Sequence, residues 1–156
     1  MKTLVVYYSR TGVTRKVAEA IQKELGCDLE EIIDRKDRKG PLGFIVSCKD
    51  AALKKETDIQ PPAKNPQDYD LVIIGTPVWA GTMSCAVRTY VGKNKEAFRR
   101  VALFCTAGSS GIQPTFNHLE ALCGKSPVAV LGLMTKEVAK EQFRDKVSEF
   151  IKSLSQ

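Results

Sequence analysis

Three short stretches of this 156-residue chain set small hydroxyls and glycines at spacings that suit ligand chemistry. The first is Ser9-Arg10-Thr11-Gly12-Val13-Thr14, between the apolar run Leu4 to Tyr8 and a helical pattern. Small side chains and one glycine let successive backbone N–H groups curl around an anion, and a helix start behind them adds a favourable dipole. The hydroxyls of Ser9, Thr11 and Thr14 would donate further bonds to phosphate oxygens. The same residues also suit an ordinary helix start, with Ser9 or Thr11 as N-cap and Gly12 in the turn, and the loop alone does not separate the two.

The second stretch, Thr76-Pro77-Val78-Trp79-Ala80-Gly81, holds the only tryptophan. A lone tryptophan is commonly half-buried core. Here its turn-forming neighbours predict that it projects at a sheet edge, where it would cover a flat aromatic ligand. The third, Thr106-Ala107-Gly108-Ser109-Ser110-Gly111, could close its backbone on such a ring, with a plain strand-to-helix turn as the alternative. A phosphate cradle beside an aromatic plate describes a phosphorylated planar heterocycle.

Other chemistries fare worse. Neither GxxxxGK[ST] nor GxGxxG is present, and no lysine stands where it would meet a β- or γ-phosphate. The first loop lacks the cysteine of a low-molecular-weight phosphatase, and Thr76 stands where a receiver domain needs an aspartate. The single histidine, His118, falls mid-helix, which predicts a surface or satisfied side chain. No Ser-His-Asp or paired-carboxylate constellation is evident. The five cysteines are odd in number, scattered and without a CxxC pair, so neither a metal centre nor a disulfide framework is expected. Reduced, buried thiols are the ordinary reading. Cys85 is the candidate for a reactive one, because a place in the first turn of a helix would lower its pKa.

The elements that must position these loops are legible as alternating patterns. Leu4 to Tyr8, Leu71 to Thr76, Val101 to Thr106 and Val128 to Met134 are short, β-branched runs that mostly do not alternate, as strands buried on both faces do. Asp28 to Ile33 is a weaker fifth. Helical patterns cover Val13 to Leu25, Pro41 to Glu56, Met83 to Val91, Gln113 to Cys123 and Lys136 to Leu154. In the second, Leu42, Ile45, Val46, Ala52 and Leu53 are the expected inner face, with Pro41 at the N-terminus. In the last, Val138, Phe143, Val147, Phe150, Ile151 and Leu154 form the stripe. Five alternations predict an α/β fold with an open parallel sheet and helices on both faces, in one domain over residues 1–156. All three loops then fall at the carboxyl ends of strands, on the edge where such sheets bind ligands.

Composition sets the outer bounds. Hydrophobic residues make up 43%, enough for one core, and no apolar stretch approaches the roughly 20 residues of a membrane span. Only five apolar or aromatic residues follow Met1-Lys2-Thr3, short of a signal peptide, so a cytoplasmic protein is expected. The net charge of +6 serves solubility on the ordinary reading, and on a functional one suits an acidic partner or an anionic ligand. Nucleic acid is disfavoured, since basic residues are not interleaved with aromatics and no Cys/His module occurs.

The three stretches also carry a family resemblance. "YYSRTGVTRKVAEAI" resembles the phosphate-binding loop of flavodoxins, and "YDLVIIGTPVWAGTMS" resembles their second, aromatic-bearing loop, with "TAGSSG" at the place of the third. The resemblance implies a short-chain, flavodoxin-like three-layer α/β/α sandwich with a five-stranded parallel sheet in the order 2-1-3-4-5. It implies bound FMN, with residues 9–14 on the phosphate, 76–81 along ring and ribityl with Trp79 against the ring, and 106–111 on the pyrimidine side. Many members stack a tyrosine from the third loop on the flavin, whereas residues 106–111 hold no aromatic and would leave one face open. Members are usually acidic, and this chain is basic, which would disfavour a reduced, anionic flavin less. The implied function is electron transfer between redox partners, one of them acidic. The alternative is an NAD(P)H-dependent reductase of quinones or similar acceptors, in which Pro41 to Phe44 would form a substrate-side wall or a dimer contact rather than a helix start packed on the sheet. A third reading, an interaction module without flavin, conflicts with the hydroxyl loop and Trp79.

Overall fold

The computed structural model describes residues 1–156. Its strands are β1 (Thr3–Tyr7), β2 (Asp28–Glu31), β3 (Leu71–Trp79), β4 (Thr82–Met83), β5 (Val101–Ala107) and β6 (Val130–Met134). Its helices are α1 (Val13–Leu25), α2 (Gly40–Ala52), α3 (Cys85–Asn94), α4 (Ile112–Cys123), α5 (Thr135–Ala139) and α6 (Arg144–Ser153). The parallel strands lie in the order β2-β1-β3-β5-β6, the expected 2-1-3-4-5 arrangement once the short antiparallel β4 is set aside.

The central strands alternate between two cores. Leu71 and Ile73 join Val5, Val17, Ile21 and Phe104 under α1, α5 and α6. Val72 and Ile74 join Leu4, Leu103, Tyr90 and Leu119 under α3 and α4. Both faces are covered, which is why these runs are apolar without alternation. Gly75 occupies the middle of β3 opposite Phe104, and a Cβ there would lie 2.0 Å from the ring.

Four expectations need correction. The strand ending at Thr76 continues to Trp79 and folds back through β4, because Ala80 and Gly81 both adopt positive φ and close a tight hairpin. Met83 therefore belongs to a strand, and α3 begins at Cys85 behind Ser84, whose hydroxyl accepts from the Val87 N–H. The last helical pattern is two helices, broken where Glu141 takes φ 58°. Its stripe survives the break, with Val138, Phe143, Val147, Phe150 and Leu154 buried and Ile151 half-buried. Finally, α2 is turned the other way. Leu42, Ile45, Val46 and Leu53 face solvent, while Ser47, Asp50 and Ala51 are buried.

A buried ion network explains that orientation. Arg38, 3% exposed, donates from Nε to Asp34 Oδ2 at 2.6 Å and from Nη1 to Asp50 Oδ2 at 3.1 Å. Ser47 Oγ accepts from Arg38 Nη1 and donates to the Gly43 carbonyl. The Thr57 hydroxyl and the Lys36 N–H both donate to Asp34 Oδ1. Desolvating Arg38 without these acceptors would be prohibitive, so α2 must present Asp50 and Ser47 inward. The backbone geometry of the helix then carries its aliphatic residues outward.

Candidate functional site

The parallel strands bring their carboxyl ends together, and three loops converge there. β1 leads through Tyr8 to Thr11 into α1, and Gly12, at φ 98°, is the N-cap. No side chain caps this helix, and its first turn holds no carboxylate. The first helix bond runs from the Lys16 N–H to the Gly12 carbonyl, leaving the N–H groups of residues 13–15 without an acceptor in the chain. Ser9 is not the cap either. Its hydroxyl accepts from the Gly12 N–H at 3.0 Å and so shapes the loop from within. An uncapped, carboxylate-free helix start of this kind has the donors and the dipole to accept an anion.

Loops two and three are locked to this start. Thr14, buried in the first turn of α1, shares a 2.8 Å hydroxyl bond with Thr106 at the end of β5. Thr76 Oγ1 donates to the Pro77 carbonyl and accepts from the Ser84 N–H, which fixes the exit of β3. Gly111, at φ 97°, packs so closely on the second loop that a Cβ would lie 2.8 Å from Val78 and 2.9 Å from Gly81. Only glycine allows that approach and that φ together.

A cleft of about 230 Å3 opens between the loops. Of the residues expected to bind a cofactor, it brings together Arg10, Thr11, Val13, Thr14, Pro77, Val78, Trp79, Thr106 and Gly108. Ser9, Gly12 and Gly111 set the shape of its loops. Thr76 and Ala107 are buried in the strand ends, Ala80 and Gly81 make the hairpin turn, and Ser109 and Ser110 stand exposed outside the wall. Larger hollows exist, including one of about 340 Å3 between β2 and residues 35–39, but none lies where the three strand ends converge.

Trp79 does not project. It is 2% exposed, edge-on to Tyr8 at 5.4 Å, with the Arg38 guanidinium 5.5 Å from its ring centre. It lines the cleft as part of a packed wall. Burial pushes the Tyr8 phenol up to about 12, so Tyr8 packs against Trp79 as a neutral ring. Arg10 lines the cleft and packs against α2. Its guanidinium lies over the Phe44 ring at 5.1 Å and donates to the Arg38 carbonyl at 3.3 Å.

Two lining residues were missed as binding residues, Phe44 from α2 and Thr135 at the start of α5. Phe44 lies in the segment read as a substrate-side wall, a dimer contact or a helix start packed on the sheet; it stands near the start of α2 and lines the cleft. No pattern in the sequence singles out Thr135. The two side-chain expectations outside the cleft resolve simply. His118 Nδ1 is satisfied by Thr82 Oγ1 at 3.0 Å. Cys85 occupies the first turn of α3 as expected, but burial pushes its thiol pKa up, so it is not a reactive thiolate. All five cysteines are free thiols.

An open parallel sheet with a cleft at the strand-order reversal between β1 and β3 defines the doubly wound α/β class of protein. The chain belongs to the flavodoxin family, which matches residues 2–150. It is similar to a flavoprotein of Lactobacillus acidophilus solved in complex with FMN, at 27% identity and a TM-score of 0.73, over 89% of this chain and 97% of that one. It shares its fold with a protein of Bacteroides uniformis at 23% identity and a TM-score of 0.78, over 97% of both chains. An oxidised flavodoxin of Bacillus cereus is similar at 16% identity and a TM-score of 0.57, over 97% of this chain and 99% of that one. No curated protein matches it by sequence. No helix is long and apolar enough to cross a membrane.

Proposed function

We propose that the chain binds FMN in this cleft and works as an electron-transfer flavoprotein between redox partners. The observation that carries this reading is the uncapped start of α1, open on a cleft walled by Trp79 and Phe44. The residues fit the group. The free N–H groups of residues 13–15 and the Thr11 hydroxyl would hold the phosphate, while Pro77, Val78 and Trp79 would flank the ring. Bound FMN would supply one- and two-electron redox chemistry. The chain's own residues orient it, hold its phosphate away from carboxylates, and exclude water on the Trp79 side.

Thr11 makes a clean test, because it is exposed and its hydroxyl bonds nothing else in the chain. Thr11→Ala is expected to weaken FMN binding on the order of tenfold, the scale of one hydrogen bond to a charged group, and to leave riboflavin within about twofold. Flavin-fluorescence titration of both ligands reads the difference. Equal weakening would place the phosphate elsewhere.

The second reading, an NAD(P)H-dependent reductase, draws on the hollow beside the cleft, whose lining sets Arg10, Arg35, Lys36, Arg38 and Lys39 against Glu31, Asp34 and Asp37. Stopped-flow mixing of the FMN-loaded protein with NADPH separates the two. The carrier reading expects no flavin bleaching in milliseconds to seconds, and rapid bleaching would replace it with the reductase.

A further inference from the structure

Most of what α2 contributes to stability lies on its inner side, in Asp50, Ser47 and Ala51. Its outer side is apolar without serving the core. Leu42 is 78% exposed, Ile45 62% and Leu53 58%, with Val46 between them. Positions 42, 45, 46 and 53 fall on one side of the helix, with Lys49 between Val46 and Leu53. Scattered exposed aliphatics are ordinary, but aliphatics gathered on one side of a helix mark a contact surface.

The charges around the stripe select its occupant. From Lys39 to Lys55 the chain holds four lysines and one carboxylate, Asp50, which is turned inward onto Arg38 and Lys36. Lys39, Lys49 and Lys54 are exposed and enter none of the chain's ion pairs. The surface is thus an apolar stripe among lysines outside any ion pair, with Asp37 and Glu56 as carboxylates at its two ends. A second copy of this chain would set the same lysines against each other. A nucleotide would answer the charge and leave the aliphatic stripe bare. An acidic protein with an apolar contact answers both, and opposite charge also speeds encounter. The first turn of α2 adjoins the site, since Phe44, on the side of the helix away from the stripe, lines the cleft and carries Arg10 on its ring. A partner seated there lies beside the mouth of the cleft.

We infer that the outer face of α2, from Leu42 to Leu53 with Lys39, Lys49 and Lys54, is the docking surface for an acidic redox protein. The inference rests on the electron-carrier reading above.

The test uses the FMN-loaded protein and two probes with the same haem and opposite charge, native cytochrome c and cytochrome c with its lysines succinylated. Calorimetric titration at low ionic strength is expected to show binding of the succinylated form alone. Lys39→Glu with Lys49→Glu should weaken it by on the order of tenfold or more, and Ile45→Asp should weaken it similarly. Lys23→Glu with Lys152→Glu makes the same change in total charge on α1 and α6, across the sheet, and should stay within about threefold. FMN affinity should be unchanged in all three variants. Equal weakening by the two lysine pairs, or no binding of the succinylated form, overturns the proposal. So does sedimentation with phosphatidylserine vesicles that the α2 pair abolishes, or a dimer that Ile45→Asp dissolves. A separate arm tests the carrier reading. Two ferric haems should take one electron each from one two-electron-reduced flavin, with its protons released to water. Binding with the expected variant pattern but no haem reduction overturns the partner's redox role and the carrier reading together, while the binding results alone decide the surface.

Discussion

Replacing Arg38 by methionine will destabilise the protein by about 3–5 kcal/mol, the cost of leaving buried carboxylates without their cation. Methionine keeps most of the stem's volume over Trp79 and removes only charge and donors, so the loss reads the network rather than a cavity. Asp34 and Asp50, with side chains 2% and 9% exposed, would each lose an ion-pair partner. Urea denaturation at pH 7 measures the effect. The loss should shrink in acid. The Lys36 hydrogen bond, followed by that of Arg38, holds the Asp50 carboxyl below the usual carboxylate range. A depressed carboxylate stabilises the fold above its unfolded pKa of about 4, and that share is lost as pH falls through the lower folded value. The variant keeps the Lys36 contact and lacks only the Arg38 share, so the wild type loses somewhat more on acidification. Because Trp79 is the only tryptophan, its emission reports whether the wall of the cleft loosens, and a red shift is expected. Adding Asp34→Asn and Asp50→Asn should recover part of the stability, since a neutral set no longer strands a charge.

That network also marks the boundary of what the sequence discloses. The strands were legible because burial on both faces writes itself as continuous Val, Ile and Leu, as in Leu71 to Ile74. The three loops were legible because hydroxyls and glycines at strand ends have few structural uses in such number. The orientation of α2 was not. Its aliphatic periodicity is real, but a helix is oriented by the sum of what it buries. Here a cation from a separate loop, Arg38, and a carboxylate four residues before it outweigh Leu42, Ile45 and Leu53. Trp79 misled for the same reason. Its local neighbours are turn formers, whereas its burial depends on Tyr8 and Arg38, both more than 40 residues earlier in the chain. The hairpin to β4 hides because Ala80 adopts φ 51°, a conformation alanine rarely takes and no local pattern announces.

Gly75→Ala carries the second large effect, through packing alone. Gly75 has an ordinary strand φ, so backbone strain plays no part. The obstacle is Phe104, fully buried on the neighbouring strand, whose ring lies across the space where the new methyl would stand, at 2.0 Å. That is too close for any rotamer adjustment of a methyl, and the ring has no free volume to enter among Val17, Ile21 and Leu133. An overpacked core usually costs about 1–3 kcal/mol, and a rigid ring pressed by backbone belongs at the upper end. The strand pair must yield, and it is the pair that carries loops two and three. FMN affinity should therefore fall along with stability. A double-mutant cycle with Phe104→Ala separates this cause from any other. Phe104→Ala alone should cost about 3–5 kcal/mol as a cavity. In that background Gly75→Ala should cost almost nothing or stabilise slightly, because the methyl now fills vacant space and strand residues prefer a Cβ. Additive losses in the cycle would mean that the glycine serves the strand in some way other than making room for the ring.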